Sequence, residues 1–514
     1  MQFNKESFDA IIIGSGIGGL VTASQLAAKG AQVLVLEKYI IPGGSGGSFK
    51  RKGYTFDVGA SMIFGFGEEG YTNLLTRALR DINEKCETIP DLVQLEYHLP
   101  SNFNISVDKS YKEFISKLSE RFPHEKEGIK KFYGTCKKVF YCLDSMPLLS
   151  IEDPSYLFKV FFKSPISCLG LARWLPINAG DVARKFIKDP ELLKFIDIEC
   201  FCWSVMPALK TPMINAGMVF TDRHAGGINY PKGGVGKIAE KLVSGLERLG
   251  SKIRYRANVT EILLKDGKAV GVKLLNGEEI HSKIVVSNAT RWDTFGLNNP
   301  KKGLIKSDQV PKSEHKWSET YKPSPSFVSI HLGVTKDLIK KDSNCHHIIV
   351  ENWDELENEK GVIFLSIPTL LDPSLAPEGK HIIHAFTPSS IEEWENLSRE
   401  DYLKKKQVYY SFLIEKISKI IPNLDQNIDH KEIGTPRTHR KFLGRFEGSY
   451  GPIPNKKLLG LLPMPFNTTK IKNLYCVGDS CFPGQGLNAV AFSGYACAHK
   501  IGSKLNINSF NLPD

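Results

Sequence analysis

The stretch FDAIIIGSGIGGLVTASQLAAKGAQVLVLEK, close to the start of the chain, leaves little freedom in what it can fold into. Phe8–Ile13 is an apolar run of strand length, 20–28 carries the spacing of a buried helix, and Gly30 ends that helix. Residues 32–36 read as a second buried strand. Strand, tight turn, helix and strand make a βαβ unit with parallel strands and a right-handed crossover. Gly14, Gly16 and Gly19 are spaced as G-x-G-x-x-G at its turn, and Glu37 ends its second strand. Gly14 permits the turn, Gly16 lets a pyrophosphate approach the backbone, and Gly19 lets the helix pack on the strand. The helix N-terminus faces the phosphates, and the Glu37 carboxylate accepts from ribose hydroxyls. An acidic group there disfavours a 2′-phosphate, so FAD or NAD is expected ahead of NADP.

At 514 residues the chain exceeds one hydrophobic core, and two interwoven domains are expected. Hydrophobic residues make up 41% and charged residues 24%, which excludes a disordered chain. The net charge of +11 suits an anionic membrane surface or an acidic cofactor. Without an Arg/Lys-rich block or a recognition motif it argues against nucleic acid. The ten cysteines form no CxxC; Cys200 and Cys202 make a CxC without a second pair, so they read as buried small apolar groups in a reducing compartment. No metal site is expected. HExxH is absent, adjacent His346 and His347 face opposite sides of a strand, and so do His381 and His384.

Further along, 235–249 reads as a helix, followed by strands whose KDGK and LNGEE turns are hairpins. FVSIHLGV, GVIFLSIP and KHIIHAFTP suggest a largely antiparallel sheet, and NLYCVGD a short buried strand before a final helix. The fold class is therefore mixed α/β: a Rossmann-like, discontinuous cofactor domain (1–80, 215–300 and 440–514) with an inserted substrate domain (81–214 and 301–439).

A second glycine-rich loop, IPGGSGGSFKRKGYTFDVGAS, directly follows the Glu-bearing strand, where NAD needs none. It resembles the second flavin-contacting loop of the FAD amine oxidase and carotenoid desaturase superfamily, with Gly43 and Gly44 in matching places. Ser45 stands where that superfamily has Arg, leaving Lys38 or Arg51 to supply the charge. The same loop spells G-x-S-x-G, but Pro42 before it and extended chain after it exclude a nucleophile elbow. The resemblance further implies that the backbone of Val259, in RANVTEI, holds the adenine. In GDSCFPGQGLNAVAFSGYACAHK it implies that Gly478 and Asp479 meet the ribityl and pyrophosphate part. The helix opened by Leu487 and Asn488 then aims its N-terminus at the flavin N1–C2=O edge. Its dipole there favours an anionic reduced flavin.

Four stretches extend the likeness over essentially the whole chain: CFCWSVMPALKTPMINAGMVFTDRHAGGINYPKGGVG, SIPTLLDPSLAPEGKHIIHAFTP, GTPRTHRKFLGRFEGSYGPIP and the C-terminal block. They resemble the carotenoid isomerases of the FAD-dependent carotenoid desaturase/isomerase family, kin of the phytoene and carotene desaturases and of retinol saturase. The resemblance implies a membrane-associated enzyme that converts poly-cis-lycopene to the all-trans isomer in carotenoid biosynthesis. Reduced FAD is then the active form, kept reduced by an unknown reductant, with no net redox change. His224, in DRHAGGINYPKGG, and Glu447, in GRFEGSYG, are the candidate catalytic polar groups beside the flavin. A desaturase or saturase with net redox chemistry remains open, as does a non-catalytic flavin-containing carotenoid carrier. Residues 155–176 are aromatic, apolar and basic, with no charge-free run near the ~18 residues of a span, so they read as a monotopic membrane contact. No signal or transit peptide is read before Phe8, which fits a bacterial, cyanobacterial-type protein on a cytoplasmic or thylakoid membrane face.

Overall fold

The computed structural model describes residues 8–59, 61–67, 73–145 and 152–507. Two seven-stranded sheets dominate these residues. The first grows from the βαβ unit. Strand Phe8–Ile13 pairs in parallel with Val33–Leu36 on one side and Glu279–Ser287 on the other. Lys252–Arg254 and Leu474–Cys476 extend it in parallel at either flank. Both faces of the central strands are covered, which is why these strands read as continuous apolar runs. The hairpin Val259–Lys265 and Lys268–Leu274 joins the sheet's edge, its turn placing Asp266 and Gly267 at φ 50° and 71° as the sequence requires.

Helix Ile17–Ala28 is buried along almost its whole length. It lies against the last helix, Leu487–Leu505, and against Gly236–Arg248, the helix read over 235–249. Small residues make that contact: a Cβ on Gly494 would lie 2.6 Å from the Gly18 carbonyl oxygen.

The second sheet runs in the order Ile428–Gly434, Ser326–Thr335, Lys380–Ser389, Ile363–Ser366, His346–Ile349, Val93–Leu99, Phe103–Asp108. It is antiparallel except at one seam. There His346–Ile349 runs parallel to Val93–Leu99 through the pairs His347–Glu96, Ile348–Tyr97 and Ile349–His98. Beside this sheet, helices Lys126–Asp144, Pro190–Ser204 and Met213–Ala225 enclose a buried ion pair. Arg223 donates to both oxygens of Glu199 at 2.7 and 3.0 Å, and the Tyr97 and Tyr133 hydroxyls donate to the same carboxylate at 2.9 and 2.8 Å. Bidentate geometry and full hydrogen bonding are what make such a pair tolerable in the interior.

The aromatic, basic stretch folds as two helices, Pro154–Lys163 and Pro165–Trp174, broken at Ser164 because proline opens the second. Among the described residues no helix is long and apolar enough to cross a membrane.

Candidate cofactor and substrate site

The two glycine-rich loops near the N-terminus lie side by side. Gly43 donates its N–H to the Ser15 carbonyl at 2.8 Å, and Gly16 bridges Gly43. Gly16 has no room for a side chain, since a Cβ would stand 2.5 Å from Asn288 Nδ2. Glu37 secures the turn by accepting from the Ser15 N–H (2.9 Å), the Ser15 hydroxyl (2.7 Å) and the Tyr39 N–H (2.8 Å). A carboxylate offers about four acceptor positions, so one stays available to a ribose hydroxyl. The C-terminal glycine loop closes on the same place, for a Cβ on Gly18 would lie 3.2 Å from the Gly478 backbone.

Gly14, Gly16, Glu37, Lys38, Gly43, Gly44, Val259, Gly478, Asp479, Leu487 and Asn488 all line one cavity of about 1760 Å³. Gly19 stands behind it, as expected of a packing residue: its Cβ would fall 2.5 Å from the Gly14 carbonyl oxygen. Ser45 and Arg51 line the cavity as well. A short turn at Gly44–Gly46 leads from there into strand Ser48–Arg51, so Ser45 sits on no strand-to-helix elbow. The last helix enters with Gly486 at φ 102°, no capping side chain and no acidic residue in its first turn. Its N-terminal dipole therefore faces the cavity uncompensated by its own side chains. Glycine path, carboxylate and helix N-terminus together fit an FAD, and the volume exceeds the roughly 300–1,000 Å³ of an ordinary ligand pocket.

Two placements differ from the sequence expectation. His224 is not in the cavity wall; it packs against Tyr111 and Phe114 with Nδ1 3.1 Å from the Lys109 carbonyl oxygen. Burial and the neighbouring Arg223 push its pKa down to about 3, so it is neutral. Asp222, one helical half-turn earlier, lines the cavity instead, and its Oδ2 has no hydrogen-bond partner among the described residues. Burial, with the charge of cavity-lining Asp144 adding to it, raises the Asp222 pKa to about 7. Glu447 also lies outside the cavity wall, at φ 53° on a tight turn, with burial and then Glu392 and Glu395 raising it to about 7. From the same motif Arg445 and Tyr450 reach the cavity. Arg445 pairs with Asp479, the residue expected to meet a flavin hydroxyl, and Tyr450 Oη lies 3.2 Å from His439 Nδ1. Asp222, Arg445 and Tyr450 each stand within three positions of a residue singled out by sequence; the motifs marked the segments but not which side chain points inward.

The adjacent histidines do face opposite sides, yet each meets partners from other strands. His346 Nδ1 lies 3.1 Å from Asp91, and His347 Nδ1 lies 3.1 Å from His98 Nε2. Burial opposes charge on His346, but Cys345 and Asp91 beside it raise its pKa to about 10.

Away from the glycine loops the cavity wall turns apolar. Leu157, Leu171 and Leu175, from the helix pair and its end, join Trp203, Met218 and Val219 there. On the outside of the same pair Phe158, Phe162, Ile166 and Leu169 are 63–84% exposed. A clustered apolar face of this kind marks an interaction surface.

Residues 12–79 match the NAD(P)-binding Rossmann-like domain, and residues 180–501 match the flavin containing amine oxidoreductases. A solved oxidoreductase from Methanosarcina mazei shares the fold with a TM-score of 0.62 at 18% identity, over 97% of this chain and 99% of its own. The chloroplastic prolycopene isomerase 1 of an Oncidium hybrid cultivar is 58% identical over 504 residues, spanning 98% of this chain and 85% of the relative. The chloroplastic prolycopene isomerase of Arabidopsis thaliana is 55% identical, spanning 97% and 83%. With that identity sustained from end to end, the chain belongs to the prolycopene isomerase family of flavoproteins.

Proposed function

We propose that the protein converts poly-cis-lycopene to all-trans-lycopene without net redox change, using FAD bound in its reduced form at the glycine-lined end of the cavity. The observation that carries this reading is the continuity of the cavity, from the dinucleotide cradle to an apolar arm beneath an exposed apolar helix pair. Reduced flavin supplies reversible electron density to a polyene and recovers it, which lowers the order of a double bond long enough for rotation. Lys38, Arg445 and the N-terminus of the last helix line this end and favour negative charge there. Asp222 keeps a proton near neutral pH at the wall, where it can be lent to the polyene and taken back. The apolar arm excludes water from the strained chain.

A carotenoid is insoluble in water, so it must enter from lipid. Phe158, Phe162, Ile166 and Leu169 dip into one leaflet, and Lys159, Lys163 and Arg173 meet anionic headgroups. The division into a cofactor domain and an inserted substrate domain follows the same line, with a separate donor keeping the flavin reduced at a cytoplasmic or thylakoid-type membrane face. In the test, holoprotein is incubated anaerobically with poly-cis-lycopene in liposomes and the isomers are separated by chromatography. All-trans-lycopene should form with reduced flavin alone; equal turnover with oxidised flavin and no reductant contradicts the reading.

A further inference from the structure

We propose that Glu96, His98 and His347 form a binding site for a divalent transition metal of the Zn²⁺ class, clipping the one parallel seam of the second sheet. Glu96 and His98 are two apart on strand Val93–Leu99 and so share a face. His347 stands directly opposite Glu96 on the neighbouring strand. Their ligand atoms all lie within 4.8 Å of one another. His98 Nε2 is 3.1 Å from His347 Nδ1, which is 3.5 Å from Glu96 Oε2. A tetrahedral ion with bonds of about 2.0–2.2 Å sets its ligand atoms about 3.3 Å apart, and the two distances bracket that value.

The outer partners of such a site are also in place. The His347 Nε2–H donates to the Asn344 carbonyl at 3.0 Å, which fixes the tautomer and leaves the Nδ1 lone pair facing Glu96 and His98. The Asn344 side chain donates to Glu96 Oε2 at 2.8 Å. Hydrogen bonds of this kind orient metal ligands and tune their basicity. Glu96 keeps 31% of its side-chain surface, giving an ion and a water ligand a way in. The trio on the opposite face, Asp91, Cys345 and His346, is buried and offers an ion no such way in. The seam rests on three residue pairs between segments far apart in sequence, so a shared ion ties together two separately inserted parts of the chain.

Chelator-treated holoprotein, with flavin retained, is titrated with Co²⁺. The intense visible bands of four-coordinate Co²⁺ should grow on the long-wavelength side of the flavin absorption, saturate near about one equivalent, and be displaced by Zn²⁺. Zn²⁺ should raise Tm by about 2 °C or more. Glu96→Gln and His347→Gln should each lose the bands, and Cys345→Ser should keep them. His98→Gln, at a less buried ligand, covers the case in which the His347 variant does not fold. Bands that survive Glu96→Gln and His98→Gln, bands lost in Cys345→Ser, or no saturable Co²⁺ signal overturn the proposal.

Discussion

Asp222 and His224 lie two positions apart on one helix, and helical geometry sends them to opposite sides. Of the two, only Asp222 faces the cavity, with an oxygen that has no partner among the described residues and a pKa raised by burial to about 7. If it lends the proton, Asp222→Asn should keep its flavin and lose about 100-fold in turnover. Wild-type turnover should fall as pH rises through about 7, a limb missing from the variant's profile; a variant with full turnover and an unchanged profile excludes this role. The same shift makes a stability statement. The folded pKa exceeds the unfolded value of 3.8, so the native state holds the extra proton in between. Asp222 therefore favours folding most below pH 3.8, and that contribution is lost as pH rises through about 7. Thermal unfolding of Asp222→Asn across that window should depend less on pH. The glycines and Glu37 were legible because their spacing is itself the requirement of the turn. Asp222 and Arg445 were not, because facing a cavity depends on packing that no local pattern records.

Elements built on local rules emerge where the sequence puts them. Strand Phe8–Ile13, its parallel partner, the helix at Gly236–Arg248 and the Asp266–Gly267 turn all follow from periodicity and turn chemistry. The parallel seam between Val93–Leu99 and His346–Ile349 could not be read, because its strands come from segments some 250 residues apart. The Glu199–Arg223 pair was hidden likewise, since it and its two tyrosine partners come from three separate helices and a strand. That pair tests the packing of the helices on the second sheet. Glu199→Gln preserves volume but leaves the Arg223 charge buried and uncompensated, which should cost about 3–5 kcal/mol in denaturant unfolding. A loss below about 1 kcal/mol would mean that water reaches the guanidinium and the pair is not structural.

For the whole molecule, the consequential arrangement is one cavity lined both by the glycine-rich cradle and by a helix pair whose outer face is exposed and apolar. Replacing Phe158, Phe162, Ile166 and Leu169 by Ser should weaken binding to anionic vesicles by about 100-fold or more while flavin stays bound. Turnover should then drop for vesicle-borne substrate and hold for substrate in detergent micelles; unchanged vesicle binding places the membrane contact elsewhere. In the proposed reaction, electrons are lent to the polyene and returned. Flavin absorbance and polyene mass followed together, anaerobically, over many turnovers on poly-cis-lycopene test it most directly. All-trans-lycopene of unchanged mass should form, with the flavin still reduced. A product that has gained or lost two hydrogens, with the flavin changing oxidation state in step, would contradict it.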